Sequence, residues 1–199
     1  MYLDIHSHTQ HSTADTLVIR NQYPLTADTT EPFSVGIHPW YIDNWQRQWE
    51  ALLPLATHFN CWAIGECGLD KNITTPLNLQ QDIFLKHISL AEKLQIPLII
   101  HCVKAYAEVI ALRKHSKAKQ LWILHGFRKN EKVAKDLLSH GIIPSLGLPL
   151  RYDTRLQELF KNLNGKVGES YFFETDDQDV SVKELYQYKS KALSTTTNL

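Results

Sequence analysis

The sequence has little of what marks a disulfide-stabilised or membrane protein. Its three cysteines, Cys61, Cys67 and Cys102, form neither a CxxC pair nor an even set, which argues against a disulfide framework and fits a reducing compartment. No apolar run approaches the roughly 20 residues of a membrane span, and no charged segment followed by an apolar one precedes the first strand-like stretch. We therefore expect a cytoplasmic protein with no membrane partner.

Net charge is also absent, because 21 Lys and Arg residues balance 21 Asp and Glu residues. Whole-chain electrostatics thus give no indication of a nucleic-acid partner, although a small local site can still bind a phosphodiester through metal ions. The sequence gives no indication of a stable protein partner either. An apolar fraction of 43% over 199 residues is ordinary for a globular domain. We expect a single domain over residues 1–199, with a frayed polar tail from about residue 193.

Apolar strand candidates alternate with helix candidates along the chain. This alternation is typical of a parallel sheet covered by helices, so we predict an α/β fold, a TIM-like (β/α) barrel with mostly parallel strands. Seven to eight strands are predicted, at residues 1–8, 16–20, 33–37, 61–66, 96–100, 121–124, 141–146 and 170–176. Helices are predicted at 44–58, from Thr75-Pro76 to about 95, through 109–112, and at 130–140, 151–163 and 182–192.

The first three predicted strands lie unusually close together in the sequence. The gaps between them are about eight to twelve residues, whereas a parallel crossover normally needs a dozen or more. We therefore expect the helices after strands 1 and 2 to be missing or reduced to loops. The barrel is predicted to be shortened or distorted.

Two histidines stand at the end of the first predicted strand. His6 and His8 point to the same face of a strand, where two imidazoles can hold one metal ion. A pair of surface or hydrogen-bonded histidines has the same spacing, so this motif alone does not decide between the two interpretations.

Ionisable residues also end four later strands, and they decide the question. Glu66, His101, His125 and Asp176 each follow an apolar run, at the barrel end where the βα loops of such enzymes carry the active site. Core packing does not require a charged group at strand after strand, since buried charges are costly unless they are paired or bound to metal. The pattern therefore favours a metal centre over isolated core residues.

The candidate ligands supply nitrogen and oxygen atoms but no sulfur. Cys67 and Cys102 each follow a candidate ligand by one residue, so strand alternation turns them away and we expect packing roles for both. Six ligands are too many for one tetrahedral zinc and suit two metals bridged by a carboxylate. Such a site activates water, so hydrolysis is the expected class of reaction.

With these residues in place, the sequence resembles the TatD family of metal-dependent deoxyribonucleases, within the amidohydrolase-like barrel superfamily. Six short motifs occur in family order across nearly the whole chain. They are Asp4-Ile5-His6-Ser7-His8, Gly36-Ile37-His38-Pro39, Ile64-Gly65-Glu66-Cys67-Gly68-Leu69-Asp70, Ile99-Ile100-His101, His125-Gly126-Phe127 and Glu174-Thr175-Asp176.

The resemblance implies two divalent metal ions and the hydrolysis of DNA phosphodiester bonds. Mg²⁺ or Mn²⁺ is the expected metal, and Zn²⁺ is the alternative. The implied ligands are His6, His8 and Asp176 for one metal, His101 and His125 for the second, and Glu66 as the bridge between them. Asp176 is also expected to orient or deprotonate the attacking water, and His38 is expected to face the substrate, at a phosphate or in proton transfer.

The chain departs from the family pattern next to the ligands. Family members usually carry an Arg and an acidic residue after the third-ligand His, and this chain has Cys102-Val103-Lys104 there. Lys104 either replaces the Arg as a phosphate contact or is a solvated residue at the start of a helix. Arg128, which follows His125-Gly126-Phe127, is a second phosphate candidate. The chain is also shorter than most family members, in early helical material and in the C-terminal helix region.

Other residues carry weaker signals. Trp40 and Tyr41 follow His38 and can stack a base, or serve as a lid or as core. A basic cluster, Arg113, Lys114, Lys117 and Lys119, precedes a strand, so we expect a solvated surface at the opposite end of the barrel.

Two rival functions remain open from the sequence. The same metals can hydrolyse another phosphoester, an amide or a lactone, although many such relatives bridge their metals with a modified Lys where this chain has Glu66. A shortened relative can also keep its metal without catalysis; the missing helices favour this reading, and the complete ligand set argues against it.

Overall fold

Eight parallel strands form a barrel in which each strand pairs with the next one along the chain. The structure, a computed structural model, describes residues 1–163 and 165–194, with side chains up to residue 189. The strands are β1 (Tyr2–Ser7), β2 (Thr16–Gln22), β3 (Phe33–Val35), β4 (Cys61–Asp70), β5 (Leu98–Val103), β6 (Trp122–Leu124), β7 (Ile142–Leu146) and β8 (Phe172–Phe173). The fold prediction of a (β/α) barrel is confirmed.

In the described part of the chain, six α-helices follow the later strands. They are α1 (Trp45–Ala56), α2 (Leu77–Leu94), α3 (Tyr106–Ser116), α4 (Glu131–Ser139), α5 (Thr154–Leu163) and α6 (Val182–Ser194). Single 3-10 turns occur at Pro39–Tyr41 and Leu148–Arg151. Residues 193 and 194, expected in the tail, end α6, and the rest of the predicted tail lies outside the described residues. No helix in the described part of the chain has the length and apolar character of a membrane span.

The connections after β1 and β2 contain no helix, as the short gaps predicted. Residues 8–15 can still return to the start of the barrel, because eight extended residues reach about 27 Å and a six-residue strand is about 20 Å long. Side chains hold these connections in place of helix packing. Ser12 Oγ accepts a hydrogen bond from the Val18 N–H at 3.1 Å, and Gln22 Oε1 accepts one from the Asp28 N–H at 2.8 Å.

Side chains also close the barrel between β8 and β1. The predicted strand 170–176 is reduced to Phe172–Phe173 and two isolated bridges, one between Val167 and Tyr171 and one between Ser7 and Asp176. The Asp4 carboxylate accepts hydrogen bonds from the Thr175 N–H at 3.1 Å and from the Thr175 hydroxyl at 2.7 Å. The first of these bonds satisfies a buried backbone N–H that a longer ladder would otherwise pair, and the second ties the Thr175 side chain to β1.

Strand β4 is longer than predicted, since it continues through the motif that contains Glu66 and ends at Asp70. Gly65 and Gly68 make this possible: both have positive φ, and a Cβ on either would overlap a carbonyl oxygen of β5. At these two glycines the backbone of β4 lies close to the backbone of β5, one residue before Glu66 and two residues after it. The expectation that Glu66 and His101 end their strands is therefore wrong, because both lie within the pleated part of the barrel.

The helices pack on the outer face of the sheet, and a separate apolar layer fills its interior. Seven of the eight strands contribute one residue each to that layer: Ile5, Ile19, Ala63, Ile99, Ile123, Ile143 and Phe172. The interior of the barrel is therefore a packed core and not a pore, as in other barrels of this type.

Helix α2 begins at Leu77, one residue later than predicted, with Pro76 as its N-cap. The Gln80 side chain holds this end: its Oε1 accepts from the Asp70 N–H at 2.7 Å, and its Nε2 donates to the Thr75 carbonyl at 2.9 Å. The helix start is thereby tied to the end of β4.

His87 of α2 is fully buried behind β3. Its Nε2 accepts a hydrogen bond from the Ile37 N–H at 3.0 Å, and its Nδ1 lies 2.8 Å from the Ile83 carbonyl oxygen. This arrangement requires a neutral ring with the proton on Nδ1. Burial lowers the pKa of His87 to about 4.

We expect His87 to make the fold sensitive to acid. The unfolded chain binds a proton at this residue near pH 6.5 and the folded chain only near pH 4, so stability falls as the pH drops through that window, by about 3 kcal/mol. His87→Gln removes the titration. The free energy of unfolding is measured in denaturant with chelator present. Between pH 7 and pH 4 it should fall by about 3 kcal/mol more for wild type than for the variant.

His115→Gln is the control, because His115 is exposed on α3. Its unfolding free energy should follow the wild-type pH dependence. If the unfolding free energies of wild type and His87→Gln depend on pH in the same way, His87 is not the source of the acid sensitivity.

Candidate metal centre

The Glu66 carboxylate lies at the centre of a group of imidazoles. Its Oε1 is 2.6 Å from His125 Nε2, 2.8 Å from His101 Nδ1 and 3.1 Å from His38 Nε2. The backbone N–H of Glu66 donates to Asn21 Oδ1 at 2.9 Å, which fixes the residue against β2. One oxygen of a single carboxylate, only 4% exposed, therefore faces three rings from three different parts of the chain.

The second oxygen of Glu66 faces a different set of atoms. Its Oε2 is 3.6 Å from both His6 Nε2 and His8 Nε2. Asp176 Oδ1 lies 3.7 Å from His6 Nε2 and 3.6 Å from His8 Nε2. Donors about 2.1 Å from a tetrahedral metal are about 3.4 Å apart, so these separations suit donors around one ion.

The structure brings the six candidate ligands together in one cluster and adds His38 to it. Three overlapping groups have donor atoms within 4.8 Å of one another. They are His6, His8 and Asp176; His6, Glu66 and His125; and His38, Glu66 and His101.

His38 is placed differently from a residue that faces open solvent. It is buried, its Nδ1 accepts a hydrogen bond from the Trp40 N–H at 3.1 Å, and its Nε2 lies 3.1 Å from Glu66 Oε1. Both ring nitrogens therefore have protein partners, and the geometry makes His38 a further candidate ligand. Its predicted contact with substrate stays a prediction.

His6 provides the test of whether this donor set fits a metal. The side chain is fully buried, yet both ring nitrogens lack a hydrogen-bond partner among the described residues. Unpaired buried polar atoms are costly, and here Nε2 faces the carboxylates of Glu66 and Asp176. A cation between these three groups would satisfy all of them, so the residues fit a divalent metal.

The charges of the cluster agree with that fit. Burial raises the pKa of Glu66, but the charge of His125 and hydrogen bonds from His101 and His125 outweigh it and hold the pKa well below its usual range. Burial lowers the pKa of His125, but Glu66, Glu174 and Asp176 raise it to about 10. The carboxylates thus stabilise positive charge in the middle of the cluster, where a metal ion can replace the proton.

Comparison with known proteins identifies the family. The model of the TatD related DNase family matches residues 4–194. The chain belongs to the TatD-related DNase family. A relative from Citrobacter koseri, named 3′-5′ ssDNA/RNA exonuclease TatD, is 31% identical over 147 residues, which cover 72% of this chain and 56% of the relative. A Bacillus subtilis relative named as an uncharacterized metal-dependent hydrolase, YabD, is 30% identical over 122 residues, 60% of this chain and 48% of the relative.

This TatD-family chain therefore spans about half the length of the curated relatives it matches. Two solved structures share its fold. The TatD homologue YJJV from Escherichia coli superposes with a TM-score of 0.72 at 18% identity, covering 87% of this chain and 78% of that one. A TatD family hydrolase from Entamoeba histolytica superposes at 0.69 and 16% identity, covering 87% and 73%. Together with the buried donor groups, the family supports the use of metal ions.

Asp70 is a residue of this site to which the sequence pattern assigned no role. It is buried, and its Oδ2 lies 3.3 Å from His101 Nε2 and accepts the Trp40 indole N–H at 2.7 Å. His101 thus has one ring nitrogen facing Glu66 and the other facing a carboxylate. Outer carboxylates of this kind fix the tautomer and orientation of a metal-binding imidazole. Asp70 belongs to the Gly-Leu-Asp end of a family motif, which was the available signal.

Glu174 is a second residue of this kind. It is buried, its Oε1 accepts a hydrogen bond from the Gly126 N–H at 2.6 Å, and the same oxygen lies 4.0 Å from His125 Nδ1. Burial raises the pKa of Glu174 to about 7. The side chain positions the loop that follows His125, and its only sequence signal was the Glu-Thr-Asp motif.

The basic candidates differ in their exposure and in their contacts. Arg128 is exposed and lines one cleft with Asp176. Lys104 is exposed directly after β5, with a φ of 55°. Of the basic cluster predicted to be a solvated surface, Lys114, Lys117 and Lys119 are exposed. Arg113 is partly buried: its Nη1 donates to the Gln120 carbonyl at 2.9 Å, and its guanidinium stacks on Trp122 at 4.9 Å. It is a packing residue.

Cys67 and Cys102 are buried free thiols. Their burial agrees with the packing role predicted for them, and burial raises the pKa of the Cys102 thiol to about 12.

We expect Asp70→Asn to weaken metal binding without unfolding the barrel. The amide removes the negative charge behind His101, and loss of such an outer partner typically costs about 10- to 100-fold in metal affinity. Calorimetric titration of the metal-free protein with Mn²⁺ measures the change. Asp136→Asn, which removes an exposed carboxylate on α4, is the matched control. Equal affinities for Asp70→Asn and wild type would contradict a positioning role.

Proposed function

We propose that this protein is a hydrolase that uses two divalent metal ions to cleave phosphodiester bonds of nucleic acid, with DNA as the expected substrate. One observation carries the proposal: the two oxygens of the Glu66 carboxylate face two different sets of donor atoms, as the carboxylate of a two-metal site does. The proposed ligands are His6, His8 and Asp176 for one metal, His101 and His125 for the other, and Glu66 for both.

The choice of metal follows from family and donor chemistry. Mg²⁺ or Mn²⁺ is the metal we propose, and the four imidazoles make Zn²⁺ the alternative. A divalent metal bound here polarises a phosphoryl oxygen and lowers the pKa of water.

Asp176 is the carboxylate of the cluster that a water molecule can reach. It is 31% exposed, whereas Glu66 is 4% exposed. Its backbone is fixed, because its N–H donates to the His6 carbonyl at 3.0 Å and its carbonyl accepts from the His8 N–H at 2.8 Å. We propose that Asp176 orients the attacking water and accepts its proton at a carboxylate oxygen. His38, between Trp40 and Glu66, is proposed to pass protons at the same centre.

The substrate is proposed from the relatives and from the charges at the site. Curated relatives are named as exonucleases of single-stranded DNA and RNA, so a single strand is the form we propose. Arg128 shares its cleft with Asp176 and is proposed to contact a phosphate, and Lys104 is the second candidate. We also propose one catalytic domain and a cytoplasmic location, which the unpaired cysteines support.

We expect metal-dependent cleavage that requires Asp176. Protein stripped with chelator and resupplied with Mg²⁺, Mn²⁺ or Zn²⁺ should release nucleotides from single-stranded DNA or RNA. Asp176→Asn should lower kcat by at least about 100-fold, because the proton acceptor is lost. Asp177→Asn, which changes the exposed neighbour, should retain wild-type kcat.

The same assay separates the rival functions. Turnover of bis(p-nitrophenyl) phosphate, an amide or a lactone without cleavage of nucleic acid would replace this proposal with a different hydrolase. If the protein binds metal stoichiometrically but turns over none of these substrates, it is a non-catalytic metal-binding member of the family. Failure to bind any divalent metal would overturn all three.

We expect Arg128→Ala to raise KM for single-stranded DNA by about 5- to 10-fold, since a charge-assisted bond to a phosphate is lost. Lys104→Ala should have a similar effect if Lys104 replaces the Arg of other family members, and no effect if it is only solvated. Lys114→Ala, which removes an exposed charge in the last turn of α3, is the control. An unchanged KM for Arg128→Ala would exclude this residue from the substrate cleft.

A further inference from the structure

A pocket of about 550 Å³ opens next to the metal centre. Its walls include the rings of Tyr23, Trp40 and Tyr41, together with Leu25. Trp40 is 55% exposed and Tyr41 is 52% exposed, so large apolar faces that the barrel does not bury are presented to solvent. The volume lies within the range of about 300–1,000 Å³ that is usual for small-molecule sites.

Residues of the candidate metal centre contact the aromatic walls of the pocket. The Trp40 indole N–H donates to Asp70 Oδ2 at 2.7 Å, and the Trp40 ring packs edge-on against His38 at a centroid distance of 4.9 Å. Tyr23 lies 6.3 Å from the His8 ring and 5.6 Å from the Tyr41 ring. The pocket therefore borders both halves of the candidate centre, and the Trp40 ring is anchored by a hydrogen bond before any ligand binds.

The charge of the pocket excludes a phosphate as its ligand. Among the described residues that line it, Asp43 carries the one formal charge, and it is negative. The side chains of Thr26, Asn44 and Gln48, which also line the pocket, are polar but neutral, and the Gln48 amide already donates to Asn44 Oδ1 at 2.8 Å. A phosphate would be repelled by Asp43, whereas a flat neutral ring can stack on the aromatic faces.

We propose that this pocket is a base-binding subsite, in which one nucleobase stacks on Trp40 and Tyr41 while the adjoining phosphate lies at the metal centre. The inference rests on the proposed function and names how the substrate is held. Stacking on aromatic side chains accepts any base, so the subsite binds a single strand with little sequence preference. A base that is paired in a duplex must first leave its stack to enter the pocket, and this costs free energy. The subsite therefore favours a single strand over a duplex.

Binding without metal tests the subsite directly. Short single-stranded oligonucleotides carrying one 2-aminopurine, at each position in turn, are titrated into protein kept metal-free with chelator. We expect quenching of 2-aminopurine fluorescence at one position. Trp40→Ala should remove this quenching and weaken binding by at least about 5-fold.

Two further variants separate stacking from other effects. Trp62→Ala removes a tryptophan that is 49% exposed near the start of β4, at the other end of the barrel, and should behave as wild type. Trp40→Phe keeps a ring but loses the N–H that bonds Asp70, so it should keep most of the quenching. If Trp40→Phe behaves like Trp40→Ala, the tryptophan acts through Asp70 and the inference is overturned.

A kinetic comparison gives the second measurement. The KM for thymidine 5′-(p-nitrophenyl phosphate) is divided by the KM for methyl p-nitrophenyl phosphate, which has no base. Trp40→Ala should raise this ratio by at least about 5-fold. An unchanged ratio together with unchanged quenching would overturn the subsite.

The two proposals fail separately. Quenching that depends on Trp40, in a protein that cleaves no nucleic acid with any metal, would refute the proposed function and keep the base-binding pocket. Metal-dependent cleavage without quenching would keep the function and refute the pocket. Displacement of the oligonucleotide by millimolar tetramethylammonium would identify a cation-binding aromatic cage with Asp43 and would also overturn the inference.

Discussion

The burial of one carboxylate, Glu66, sets the requirements that the rest of the site meets. An isolated buried carboxylate is costly by several kcal/mol, so it must be surrounded by donors or cations. The chain meets this requirement with imidazoles from β1, β5 and the segments after β3 and β6, while the bond from the Glu66 N–H to Asn21 Oδ1 fixes the backbone of the residue. Gly65 and Gly68 let β4 lie close enough to β5 for this to happen. The close packing of β4 on β5 therefore also places Glu66 beside its imidazole neighbours.

Closure of the barrel and assembly of the site are coupled at the other edge as well. Asp176 joins β8 to β1 through backbone bonds to His6 and His8, and these three residues are one of the candidate metal groups. The Asp4–Thr175 hydrogen bonds lie directly beneath this junction. A ligand that holds the three side chains together thus also holds the first and last strands together, so binding free energy contributes to the stability of the closed barrel.

Apolar periodicity was sufficient to predict the parallel strands, the helices and the loss of two helices, because each depends on local sequence and chain length. It failed where tertiary contacts decide. The extension of β4 depends on a close approach that only glycine permits, and the reduction of β8 depends on side chains of β1 taking over its hydrogen bonds. The burial of His38 and the contact between Asp70 and His101 depend on loops and strands distant in sequence, which periodicity does not report.

The shortening of the barrel bears on function through the connection between β2 and β3. In a regular barrel a helix would follow β2 and pack on the outer face. Here residues 23–32 form a loop, and Tyr23 and Leu25, at its start, face the rings after β3. Tyr23 and Leu25, at the position where a helix would begin in a regular barrel, form one wall of the aromatic pocket. The connection without a helix therefore leaves the candidate donors together and leaves the aromatic pocket open beside them.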